Sequence, residues 1–126
     1  MNKEAKFSDL LGKTITHIKG EKGDDELIFT CSDGVRYIMY HNQSCCESVY
    51  LEDVCGELND LLDSPIVQAE ENTSDENPPG VTPEYQDSFT WTWTFYRIAT
   101  AKGQVVLRWY GESNGYYSES VDFEKL

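Results

Sequence analysis

A chain of 126 residues with 39% hydrophobic and 13% aromatic content can bury one core, is too apolar to remain disordered, and is too short for two independent cores. It carries 10 Lys/Arg against 23 Asp/Glu, a net charge of −13 that makes nucleic acid and anionic membranes poor direct partners and a basic protein surface a good one. No apolar run reaches the roughly 18 residues of a membrane span, and residues 1–6 lack a signal-peptide stretch, so the expectation is one acidic domain over residues 1–126 in the cytoplasm.

Residues 7–12, Phe-Ser-Asp-Leu-Leu-Gly, read as one short helical turn stopped by Gly12, with Ser8 or Asp9 able to cap it. Residues 13–19 follow as a strand with Ile15 and Ile18 on its buried side. A charged turn over 20–25 leads to a strand at 26–31, and Asp33-Gly34 folds the chain back into a strand at 35–41, giving a three-strand meander. After a loop at 42–47, Leu51, Val54, Cys55, Leu58, Leu61 and Leu62 fall at the i, i+3, i+4, i+7 spacing of a helical face, with Asp53, Glu57 and Asp60 on the opposite face and Ser64-Pro65 closing the element.

A short strand is expected at 65–70, then a long polar loop, mobile over 71–88, containing Pro78-Pro79-Gly80 and Pro83. Phe89, Trp91, Trp93 and Phe95 alternate with Thr90, Thr92 and Thr94, the period-two pattern of a strand with an aromatic and a hydroxyl face, and the phase loses clarity from Tyr96. Lys102-Gly103 turns into a partner strand at 104–110, residues 111–115 turn again, and Val121 and Phe123 alternate in a last strand. The expected class is therefore α+β: an antiparallel, β-rich domain of six or seven strands with one main amphipathic helix.

Charge is segregated along the chain. Between Arg36 and Arg97 there is no Lys or Arg, while 12 acidic residues lie there, and both ends are close to neutral. The expected partner-binding surface is the carboxylate stripe Asp53, Glu57, Asp60 and Asp63 together with Glu70, Glu71, Asp75 and Glu76.

The densest set of reactive side chains is His41-Asn42-Gln43-Ser44-Cys45-Cys46-Glu47. His41, Cys45, Cys46 and Cys55 could supply zinc ligands, but adjacent cysteines diverge and no Cys-x-x-Cys pair is present. A Cys–His nucleophile pair is opposed by the surrounding carboxylates, which destabilise a thiolate. The four cysteines, Cys31 included, are expected as free thiols, because an aromatic core of this size needs no staples. A second constellation, Trp109, Tyr110, Glu112, Asn114, Tyr116 and Tyr117, combines rigid aromatic area with adaptable polar groups, the chemistry of a small-ligand site able to stack a nucleotide base. No phosphate-cradling glycine loop, serine-nucleophile elbow or zinc-protease helix motif occurs, and no cofactor is implied.

Four segments together, Asp9-Leu10-Leu11-Gly12-Lys13-Thr14-Ile15, Asp33-Gly34, residues 41–50, and Trp109-Tyr110-Gly111-Glu112-Ser113-Asn114-Gly115-Tyr116-Tyr117, resemble a small domain family of unknown function found mainly in bacteriophages and prophages. The resemblance spans most of the chain and implies a genomic setting, with no catalytic mechanism to transfer. Short accessory phage proteins are often antagonists of host systems. The expectation is thus a non-enzymatic viral accessory protein that inhibits a basic host protein, an anti-CRISPR-like or other anti-defence factor acting by nucleic-acid mimicry. Sequestration of a signalling nucleotide is the second reading, and a metal- or cysteine-dependent activity at His41, Cys45 and Cys46 the third.

Overall fold

The computed structural model describes residues 2–81 and 90–126. The described residues are nearly all β, with nine strands in two antiparallel sheets. The strands are β1 (Lys3–Glu4), β2 (Ile15–Lys19), β3 (Glu26–Cys31), β4 (Arg36–Tyr40), β5 (Ser48–Cys55), β6 (Gln68–Ser74), β7 (Thr90–Thr100), β8 (Gly103–Ser113) and β9 (Asp122–Lys125). One sheet has the order β1-β9-β4-β3-β2 and the other β5-β8-β7-β6. Two single 3-10 turns, Phe7–Leu10 and Leu58–Leu61, are the helical elements among the described residues. No helix there is long and apolar enough to cross a membrane.

The expected helix over residues 51–62 is absent, so the class is all-β and not α+β. The i, i+3 spacing that suggested it has another origin. In β5, Val49 and Leu51 are buried two residues apart, as a strand requires, and the register with β8 then shifts between Leu51 and Asp53. Glu52 is the extra residue of this bulge, so Leu51 pairs with Trp109, Val54 pairs with Leu107, and both face the core three residues apart. Gly56 then breaks the strand at φ 113°, and the 3-10 turn brings Leu58 and Leu61 inward at i, i+3. The same device acts in β2, where a register shift between Ile15 and His17 lets Ile15 and Ile18 share the inner side.

Residues 71–74, expected in a mobile loop, belong to β6. Beyond them Trp91 Nε1 donates to the Asp75 carbonyl (2.8 Å) and Trp93 Nε1 to Asn77 Oδ1 (3.0 Å), which ties the following residues to β7. Residues 82–88 of that loop, and Phe89 of the aromatic stripe, lie outside the described residues.

The aromatic stripe of β7 faces away from the core. Tyr96 and Ile98 continue the Thr90, Thr92, Thr94 phase and pair with Leu107 and Val105 on the inner face. Trp93 packs instead against Tyr110 in a tilted contact (4.6 Å) on the outer face, with the Arg108 guanidinium 5.5 Å above its ring, and Arg108 is held by Glu52 and Asp53. On the inner side of the same strand end, Glu119 accepts from Thr92 (2.9 Å), Ser113 (2.6 Å) and Thr90. The segment carrying it crosses Gly111 so closely that a Cβ there would lie 2.5 Å from the Glu119 carbonyl.

Both sheets close on one core. Phe7, from the first 3-10 turn, packs on Tyr96 of one sheet (4.7 Å) and Phe123 of the other (5.6 Å), and Phe123 stacks on Tyr37 (5.2 Å). Leu27, Phe29, Met39, Leu51, Ile98, Leu107 and Trp109 complete it, each fully buried.

Candidate functional site

A cleft of about 610 Å³ lies between the β1–β9 end of one sheet and the β6–β7 end of the other. Its walls carry four carboxylates, Glu4, Glu71, Asp122 and Glu124, around the rings of Phe7, Tyr96 and Phe123, and Lys6 is the one basic residue lining it. β6 brings Glu71 to this place because its inner face passes from the core at Ala69 into the cleft one pleat later. Three of the four carboxylates are held by neutral donors. Tyr96 Oη donates to Glu71 (2.9 Å), Tyr40 Oη to Glu124 (2.8 Å) and the Asn42 amide to Asp122 (2.9 Å), and among the described residues no ion pair compensates any of the four.

The phenols register this field. Burial pushes the Tyr96 hydroxyl far above its ordinary range and the Glu71 charge adds to it, while the bond to Glu124 raises Tyr40. Carboxylates beside aromatic faces are chemically suited to a cation.

The expected partner-binding residues fall at separate places. Glu71 lines the cleft, and Glu70, Asp75 and Glu76 lie along β6 and its continuation. Asp53 is already engaged by Arg108 and by Lys22 (3.6 Å), Asp60 sits against Gly103 at the β7–β8 turn, and Glu57 and Asp63 flank the second 3-10 turn. With no helix, the stripe of Asp53, Glu57 and Asp60 does not form one face. Glu4, Asp122 and Glu124 come from the near-neutral chain ends, so no count of charge along the sequence marks them. The alternation of Val121 and Phe123 beside Asp122 and Glu124 was the available signal.

The His41–Glu47 cluster occupies the crossover from β4 in one sheet to β5 in the other. His41 Nε2 donates to Glu47 Oε2 (2.8 Å) and Nδ1 to the Ser120 carbonyl (2.7 Å), and both side chains are buried. Glu47 also accepts the backbone amides of Ser44 (3.0 Å) and Cys45 (2.8 Å). The bond from His41, followed by those amides, outweighs desolvation and holds the Glu47 carboxyl down at about 2.

A carboxyl depressed on folding contributes stability that is present above its unfolded value of 4.5 and lost as pH falls towards 2. The urea midpoint of the wild type is therefore expected to fall more steeply than that of Glu47→Gln over that acid window. Parallel profiles would mean that the pair does not titrate as drawn.

Cys45 and Cys46 are bonded to each other, where free thiols were expected, and Cys31 and Cys55 are free. With His41 turned to Glu47, this loop gathers no ligand set, and no group of three or more His, Cys, Asp or Glu among the described residues is placed to hold a metal ion.

The aromatic constellation divides. Trp109 and Tyr110 are fully buried, on the inner and outer faces of β8 respectively, with Trp109 Nε1 lacking a hydrogen-bond partner. Glu112, Asn114 and Tyr117 line a smaller pocket of about 240 Å³ with Cys46, Glu47, Ser48, Thr90 and Ser113. Tyr116 projects into solvent, 84% exposed, with its ring edge on Tyr117.

The described residues thus form a two-sheet antiparallel β protein with an acidic, aromatic-lined cleft between the sheets. The chain belongs to the DUF7448 family, a domain of unknown function, whose model matches residues 8–123. No curated protein and no solved structure matches it.

Proposed function

We propose that this chain is a non-enzymatic binding protein that captures a basic protein through the acidic cleft between its two sheets. The observation that carries this reading is the set Glu4, Glu71, Asp122 and Glu124, four carboxylates without an ion-pair partner among the described residues, around one cleft of about 610 Å³. In the fuller form of the proposal, the setting is a phage or prophage, the location the host cytoplasm, and the partner a nucleic-acid-binding host defence protein. Carboxylates then occupy the places of phosphates and the protein acts as an inhibitor. The charge of −13 and the resemblance to a phage and prophage family support that form.

Two double reversals with the same net charge change test the site. Glu71→Lys with Asp122→Lys alters the cleft, while Glu57→Lys with Asp63→Lys alters acids outside it. For a labelled arginine-rich peptide in low salt, the cleft pair is expected to weaken binding at least ~10-fold more than the control pair, since close charges dominate over screened ones. Equal weakening would reduce the attraction to net charge alone and remove the site.

The smaller pocket favours a second reading, a small-ligand binder. Asn114 and Tyr117 line it as expected for a ligand site, but Glu47 and Glu112 are set against the phosphates of a signalling nucleotide. A flat thermal-shift panel of nucleotides is the expected result, and stabilisation by one of them would revive that reading.

A further inference from the structure

Of the four sheet edges, two are met at one point by another segment and one is short. The outer edge of β2 is bridged by the segment at residues 62–65, through Thr14 with Pro65 and Ile15 with Leu62. The outer edge of β5 is met by the turn before β3, where Leu51 N donates to the Asp24 carbonyl (2.8 Å) and Gly23 N to the Leu51 carbonyl (2.7 Å). β1 is two residues long. The fourth edge belongs to β6, seven residues long: the first 3-10 turn packs against this strand and residues 12–13 bond to Ile66 just before it, but among the described residues no backbone hydrogen bond reaches the outer side of residues 68–74.

An open strand edge is a row of unmet amides and carbonyls, a template for one more strand. This edge runs beside the acidic cleft. Ala69 and Glu71 face into the cleft, and in a strand laid against β6 every second side chain would point to that same side.

We propose that the partner is held as an added β-strand on the outer edge of β6: an extended segment of a basic protein with Lys or Arg at alternate positions, their charged ends entering the cleft. This rests on the cationic-partner reading above and specifies its mode. Backbone pairing supplies affinity independent of sequence, and the carboxylates Glu71, Asp122, Glu124 and Glu4 select the alternating cations. Lys6 stands among them as the one like charge the segment must pass.

The probe is a synthetic peptide of about eight residues alternating Arg and Thr, with two further peptides N-methylated at the Arg or at the Thr backbone nitrogens. In an added antiparallel strand, only every second N–H faces the host edge. One methylated series is therefore expected to lose at least ~10-fold in affinity while the other binds like the parent, and the parent is expected to slow amide exchange along residues 70–74. If both methylated peptides bind like the parent, or both are weakened equally, strand addition is overturned, whereas sensitivity to Glu71→Lys would leave the cationic reading standing. If the parent does not bind at all, the cationic reading fails first.

Discussion

Replacing Phe7 with alanine is expected to lower the unfolding free energy by about 3–5 kcal/mol, the range for truncating a fully packed aromatic. Phe7 is 4% exposed and sits in a 3-10 turn of four residues, yet its ring touches Tyr96 of one sheet and Phe123 of the other. It is thus the rivet of the two layers at the cleft. The cavity left behind would open towards that cleft, whose lining already includes Phe7 and Tyr96. Phe7→Leu, which keeps most of the apolar volume, is expected to lose less than half as much. Urea unfolding of the two variants checks this, and a loss below about 1 kcal/mol for alanine would show that the turn is not docked between the sheets.

Gly56→Ala carries the second large effect, and its sign decides between two structures. In a helix over residues 51–62, alanine in place of an interior glycine would stabilise by about 1 kcal/mol. In the β5 arrangement the residue has φ 113°, and a Cβ would lie 2.7 Å from the Gln104 carbonyl, a backbone atom with no rotamer to yield. The expected result is a destabilisation of at least about 2 kcal/mol, from an unfavourable backbone conformation combined with a steric contact. A stabilised variant would contradict the bulged strand.

These two residues also show how much of the fold the sequence carries. The meander of β2, β3 and β4 was legible because Asp33-Gly34 and the alternation around it are local signals, and the expected 26–31 strand coincides with β3. The region after it was misread because hydrophobic spacing alone does not distinguish a helical face from a strand whose bulge inserts Glu52. Gly56 was the residue in conflict with a helix, being poor in a helix interior and well placed at a kink. The alternation of β7 was visible, but not which face meets the core, since Trp and Thr faces differ in hydrophobicity opposite to their placement. Tyr96 and Ile98, further along the Thr phase, decide it.

The candidate site was legible only in part. Glu71 was named among the acidic residues, but its companions Glu4, Asp122 and Glu124 reach it through the pairing of β1 with β9 and of β9 with β4, contacts spanning most of the chain. A local surplus of carboxylates identifies a charged segment, whereas a binding surface depends on which carboxylates remain uncompensated after folding. Asp53 shows the difference, since Arg108 meets it from β8 and Lys22 from the turn between β2 and β3.

The central claim, a cation-binding cleft between the sheets, is tested most directly by a residue-resolved titration of the isotopically labelled protein with the alternating Arg–Thr peptide. Amide shifts concentrated in residues 4–8, 68–74 and 121–124, saturating together, are the expected result. Shifts centred on residues 53–63, or spread over all acidic segments in proportion to their charge, would contradict it.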